Sequence, residues 1–222
     1  MDERGRIAEA YRHCEQLVRA QAKDDFLAAL FAPADRRPYL FALYAFALEI
    51  GRVGAVTKEP MAGMIRLQWW IEALSGLRRD EAAASPVMMT LQDASRRTGV
   101  GLTPLVAAVE ARQAELHGEP AIGAASAVFA MAAGFLGVDA DVGAAADAAA
   151  QAVTFAAKPS DADKARAGYA AFRALLPKLP DRAQPAFLPV SLVPLRLRSP
   201  DASQWRRQLT LLRAAWFGFP KL

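Results

Sequence analysis

The sequence predicts an all-α protein folded as a single domain over residues 1–222. Three observations carry that expectation. Apolar residues recur at three- and four-residue spacings in segment after segment, no run of β-branched residues alternates with period two, and Pro or Gly stands wherever the helical pattern breaks. With 222 residues, 54% of them hydrophobic and 23% charged, the chain can bury a sizeable core, which excludes global disorder.

The elements follow in order. A helical pattern opens over 3–21 and resumes over 23–31, ending before Pro33. Pro38 and Pro60 mark the starts of helices over 37–54 and 60–76, and Pro86 precedes one over 87–98. Gly101 to Pro104 introduces 103–117, Gly118 to Pro120 separates it from 121–136, and Gly137 ends that helix before 140–157. Pro159 sets off 161–176, Pro177 to Pro180 sets off 183–197, and Ser199-Pro200 sets off 202–217. There is no internal repeat and no linker long enough to divide the chain.

Composition excludes several classes. Cys14 is the single cysteine, so a disulfide scaffold is ruled out and a reducing compartment fits. Residues 1–25 are dense in charge and form no secretory leader, so the expected location is cytoplasmic. From Pro120 to Val138 no residue is charged, which reaches the roughly 17–25 residues of a membrane span. Ala and Gly dominate that stretch, however, so it reads as a buried helix packed closely on its neighbour.

The formal net charge of +4 is concentrated at the C-terminus. Over 196–222, Arg196, Arg198, Arg206, Arg207, Arg213 and Lys221 stand against Asp201 alone, a formal +5. Two readings stand for the last helix. Either Trp205 and Trp216 pin it to the domain with a solvated basic rim, or Arg206, Arg207, Arg213, Trp205 and Trp216 meet an anionic membrane surface, peripherally at its inner face. Nucleic acid is not expected, since no zinc ligand set or aromatic RNA-binding motif accompanies the basic residues.

Motifs for chemistry are sparse. There is no Ser-His-Asp order, no Walker loop and no GxGxxG; His13 and His117 lack metal-ligand spacing, and Glu110, Glu115 and Glu119 read as helix-surface charge. No catalytic residue and no metal ligand is expected.

Two stretches are more specific. Residues 31–56 read FAPADRRPYLFALYAFALEIGRVGAV and residues 61–74 read MAGMIRLQWWIEAL. Together they resemble the N-terminal half of the squalene/phytoene synthase family. Glu110-Ala111-Arg112 with Leu116 and Pro120 resembles that family's midchain helix. Residues 171–197 and Trp205 to Leu209 resemble a bacterial branch related to the mitochondrial complex I assembly factor that shares the synthase fold. The resemblance implies the type I isoprenoid synthase fold, a helical bundle, here shortened over 121–160.

Active members of that family join two prenyl diphosphates head to head, with magnesium held on two Asp-rich motifs neutralising the departing pyrophosphate. Laid on the first motif, this chain has Tyr44, Phe46, Ala47 and Leu48, followed by Gly51, Arg52 and Ala55 at the acid positions. Over the second, Ala148 to Ala157 holds no carboxylate, and Asp161 and Asp163 lie beyond the helix-breaking Pro159. The resemblance thus implies a vestigial pocket drawn from Arg37, Tyr44, Leu48, Glu49, Gly51, Arg52, Ala55, Arg66, Gln68 and Trp69. Arg52 and Arg66 would there pair with Glu49 or with another carboxylate across the helix contact, and Trp69 and Trp70 also read as core and rim aromatics.

Three functions stay open: a non-catalytic binding or assembly protein whose partner is a respiratory complex I subunit or another protein; an active prenyl diphosphate transferase, which alone would need magnesium; or an isoprenoid or lipid carrier. In each case the helices over 37–54 and 60–76 should pack on each other at the centre, burying Leu40, Leu43, Phe46, Leu67 and Trp70.

Overall fold

Ala10, Cys14 and Val18 recur every fourth residue along α1 (Glu3–Gln21) and all are buried, which fixes the inward face of an otherwise charged helix. Its start is capped by Asp2, whose Oδ1 accepts from the Gly5 amide at 2.9 Å. The computed structural model describes residues 2–56 and 60–221, with side-chain surroundings for 2–53 and 61–221. Among the described residues there is no strand, and regular structure is helical throughout.

After α2 (Lys23–Ala29) comes α3 (Arg37–Val56), in which every residue from Leu40 to Phe46 is buried. A helix apolar on all sides must be surrounded. It is: α3 packs against α1, α6 (Pro86–Thr98) and α8 (Ile122–Phe135), and also touches α2, α4 (Pro60–Leu74) and α7 (Thr103–Glu115). Leu40, Leu43, Phe46, Leu67 and Trp70 are all buried as expected.

The expected pairing of the 37–54 and 60–76 helices needs correction. α3 alone is central, and α4 meets it through an edge-on contact of Phe46 and Trp70, 5.2 Å between centroids, while packing mainly along α7. Gly63 shows why: a Cβ there would stand 3.1 Å from Leu116 Cδ1 and 3.4 Å from Val53 Cγ1, so α4 rests on the end of α7 and the end of α3 together.

A short α5 (Arg79–Ala84) escapes the sequence pattern because six residues show no helical repeat. Ser85 then caps α6, with Pro86 at its first position, and Gly99 closes it with φ +76°. The uncharged Ala-rich stretch becomes α8, which packs on α9 (Gly143–Phe155), and α9 in turn on α10 (Ala162–Leu175). No helix among the described residues is long and apolar enough to cross a membrane.

The single helix expected over 183–197 is instead broken. Pro185, Pro189 and Pro194 each remove a backbone donor, so the chain runs through α11 (Gln184–Phe187), a 3-10 segment (Leu188–Leu192) and α12 (Val193–Arg198). The chain ends with α13 (Gln204–Phe217), held on Ala28, Leu188 and Leu192 through Leu211 and Ala214.

Candidate functional site

Along α3, Tyr44, Ala47 and Leu48 follow one face and turn it toward α8. Between Tyr44 and Leu48 on one side and Ala124, Val128 and Phe129 on the other lies a cavity of about 250 Å³, bordered also by Ile50, Val153, Ala186 and Pro189. Besides Tyr44, an acid and a base enter this lining, Asp25 from α2 and Arg112 from α7. Both also line an adjoining vestibule of about 460 Å³, which Glu115, Glu119, Lys158, Asp161 and Arg196 make strongly polar.

The polar atoms of the cavity are poorly matched. The Tyr44 hydroxyl is buried without a hydrogen-bond partner among the described residues, and burial, with the Asp25 carboxylate adding to it, pushes the phenol far above its usual range. Arg112 donates from Nη1 to Glu115 Oε2 at 2.7 Å, yet its Nε is buried and unpartnered. Burial pushes the Asp25 carboxyl up to about 6; the Arg196 guanidinium opposes that shift and Asp24 adds to it. Asp24 itself lies 3.6 Å from Arg196 and 3.3 Å from Arg207.

The Arg112 guanidinium lies against Gly51. A Cβ at that position would be 3.7 Å from Nη2 and 3.8 Å from Cζ. A cationic side chain therefore occupies the space in front of the first position at which the family resemblance places a magnesium-binding acid. Among the described residues, no three His, Cys, Asp or Glu side chains converge closely enough to hold a metal ion. The residues present do not fit magnesium at this place.

Of the residues expected in a vestigial pocket, Tyr44 and Leu48 line the cavity and Gly51 stands beside it. Glu49, Arg52, Arg66 and Trp69 line a separate open groove of about 470 Å³ with His13 and Trp70. The reason is helical rotation: each step along α3 turns a side chain by about 100°, so Glu49 leaves the face that carries Tyr44 and Leu48. The expected pairing of Glu49 with Arg52 or Arg66 does not form.

Arg37 belongs to neither space; its Nε donates to the Ala32 carbonyl at 2.9 Å and ties down the turn before α3. Gln68 is exposed and donates to Glu72 Oε1 at 3.2 Å. Trp69 donates from Nε1 to Glu81 Oε2 at 2.7 Å and stands edge-on to Trp70. Ala55 lies outside the residues whose side chains are described.

Sequence reasoning missed Asp25 and Arg112 as cavity residues. Arg112 was within reach as part of the Glu110-Ala111-Arg112 resemblance, whereas nothing in the pattern around Asp25 distinguishes it from the surrounding charge.

The reading in which Trp205 and Trp216 pin the last helix is overturned: they are 64% and 74% exposed, and Leu211 and Ala214 make the contact instead. Arg207 also differs from the other basic candidates on α13, because Asp24 holds it against the domain.

An all-helical bundle with a central cavity between α3 and α8 is the frame of an isoprenoid synthase, and comparison with known proteins agrees. The squalene/phytoene synthase family model matches residues 18–157, and the chain belongs to that family. It is 29% identical over 105 residues to NADH dehydrogenase (ubiquinone) complex I, assembly factor 6 of Bos taurus, covering 47% of this chain and 32% of that protein. The Homo sapiens protein of the same name is 29% identical over 104 residues, covering 47% and 31%, and that of Rattus norvegicus is 27% identical over 110 residues, covering 50% and 33%. The matched stretch thus spans about a third of the length of these relatives. A crystal structure of a dehydrosqualene synthase in complex with ligand superposes with a TM-score of 0.75 at 12% identity, covering 97% of this chain and 99% of that one. At that identity the likeness establishes the fold.

Proposed function

We propose that this protein is a non-catalytic binding protein of the squalene/phytoene synthase family, of the complex I assembly type. One observation carries the first part: the Arg112 guanidinium against Gly51. Pyrophosphate departure in this family calls for magnesium on clustered carboxylates, and a fixed cation with Glu115 as its own partner repels magnesium rather than recruiting it. Similarity to assembly factor 6 supports the second part, with a respiratory complex I subunit as partner; the basic run over 196–222 is the ground for a peripheral position at the inner membrane face.

Incubation with farnesyl or geranylgeranyl diphosphate and magnesium tests the chemistry. No pyrophosphate release above the protein-free control is expected, and magnesium-dependent release would restore the transferase reading. Deletion of the gene in its source organism tests the partner. Loss of assembled complex I on native gels is expected, and unchanged assembly would overturn that assignment.

A second reading, the isoprenoid or lipid carrier, draws on the same cavity. The Tyr44 hydroxyl and the Arg112 Nε are two buried donors without acceptors, and each such group costs about 1–3 kcal/mol, which an acceptor on a bound molecule would offset. A cavity of about 250 Å³ exceeds the roughly 150 Å³ that accommodates benzene, so a short prenyl alcohol fits its apolar lining. Geraniol should raise the Tm of the protein, and Tyr44→Phe should reduce that rise. No shift with geraniol would remove this reading.

A further inference from the structure

Four apolar residues, Trp205, Leu209, Leu212 and Trp216, follow one another on α13 at spacings of four, three and four. With about 100° per residue, they fall within an arc of about 60° along a helix about 21 Å long. All four are exposed, Trp205 at 64%, Leu209 at 46%, Leu212 at 41% and Trp216 at 74%, with Phe217 at 83% beside the last of them. The opposite face holds the helix in place: Leu211 and Ala214 are buried, Arg207 pairs with Asp24, and Gln184 Nε2 donates to the Ala215 carbonyl at 3.4 Å. Beyond the helix, Tyr169 donates its hydroxyl proton to the Pro220 carbonyl at 2.7 Å. The stripe is therefore presented outward on a fixed helix whose inner face is already occupied.

Isolated exposed apolar residues are ordinary on protein surfaces, but a helical row containing two tryptophans is not. Its surroundings indicate what covers it. Arg206 and Arg213 are exposed on one flank, neither takes part in an ion pair among the described residues, and α13 contains no Asp or Glu. A second copy laid on this face would bring these cations toward one another without an acid on either α13 to receive them. An anionic lipid surface complements every part of the row: Trp rings suit the headgroup level, Leu209 and Leu212 suit the acyl boundary, and long Arg side chains reach the phosphates from its edge.

We propose that the outer face of α13, through Trp205, Leu209, Leu212 and Trp216 with Arg206 and Arg213, docks on an anionic membrane, with the helix lying in the plane of the interface. This rests on the peripheral position proposed above and identifies the surface that produces it. Arg207 takes no part, since Asp24 already engages it.

Co-sedimentation with phosphatidylglycerol vesicles tests the proposal, with phosphatidylcholine vesicles as the neutral comparison. Binding to the anionic vesicles is expected at about 10 mM ionic strength, where the Debye length is about 30 Å, and its loss at about 1 M, where that length is about 3 Å. Arg206→Gln combined with Arg213→Gln should weaken binding roughly 30-fold, at the strength typical of basic residues near an anionic surface. Trp205→Ser combined with Trp216→Ser should abolish it. Both pairs are exposed, so thermal melts should show folded proteins; the salt and lipid dependence of the unsubstituted chain tests the proposal without either variant. Absence of binding at low salt overturns it, as does binding that survives both double substitutions. A concentration-dependent dimer that Trp205→Ser and Trp216→Ser dissolve would make a second copy the occupant and also overturn it. Magnesium-dependent pyrophosphate release from a chain that still binds vesicles would overturn the non-catalytic reading and leave this one standing.

Discussion

The guanidinium of Arg112 rests on the backbone of Gly51, with Nη2 3.7 Å from the position that a Cβ would take. That distance is ordinary van der Waals contact, so residue 51 can carry a side chain without displacing Arg112. An aspartate there would find a cation already waiting.

Gly51→Asp is therefore expected to form an ion pair with Arg112 and to leave magnesium without a site. The substitution also relieves a helix-interior glycine, and together these effects should stabilise the fold by about 1 kcal/mol. Urea unfolding with and without magnesium checks both parts. A magnesium-dependent gain in the variant would mean that a single carboxylate outcompetes Arg112, contrary to the electrostatic argument.

Among the described residues, Gly168 should be the least replaceable glycine. A Cβ there would stand 2.7 Å from the Ala152 amide nitrogen and 3.2 Å from the Ala148 carbonyl, and backbone atoms cannot rotate away as a side chain can. Overpacking of this kind costs about 1–3 kcal/mol, more than the helix-propensity gain of under about 1 kcal/mol. Gly168→Ala is expected to lower stability by about 2 kcal/mol in urea titration. Gly101→Ala, which meets nothing within 4 Å, should change it by less than about 0.5 kcal/mol.

That crossing also shows what the sequence could convey. An Ala-rich stretch announces close helix packing, and α8, α9 and α10 provide it; the unbroken apolar run from Leu40 to Phe46 announces a central helix, and α3 is one. The site was less legible. Asp25 and Arg112 line one cavity although 86 residues separate them in the chain, and no local spacing encodes that arrangement. On α13 the pattern held two apolar faces, Trp205 to Trp216 and Leu211 with Ala214. Only the shape of the surface offered by Ala28, Leu188 and Leu192 decides which turns inward.

Cys14 should be chemically silent in the native protein. It is fully buried, and burial, with the Glu49 carboxylate adding and the Thr90 hydroxyl opposing, pushes its thiol up to about 11. Thiolate is the reactive form, and at pH 8 only about one part in a thousand is present even before access is considered. Ellman's reagent should detect no thiol in buffer and one in guanidinium chloride. Rapid native labelling would show that α1 opens readily from α3 and α6.

Asp25 gives the fold a pH dependence of defined sign. Its carboxyl is raised from the ordinary 3.8 to about 6, so between these values the folded protein holds a proton that the unfolded chain releases. Stability contributed by this group is thus complete below about pH 4 and falls as pH rises to about 6, above which a buried charge is carried at full cost. A shift of about two units corresponds to at most about 3 kcal/mol; because the residue is only partly buried, screening reduces this to about 1–2 kcal/mol. Asp25→Asn keeps the shape and removes the charge, so it should stabilise the protein by that amount at pH 7.5 and leave it unchanged at pH 4. Urea titrations of both proteins across this range isolate Asp25, since every other carboxylate is common to them. A difference constant with pH would assign the effect to altered packing, whereas one that grows between pH 4 and 6 assigns it to a carboxylate charged inside the apolar cavity beside Tyr44.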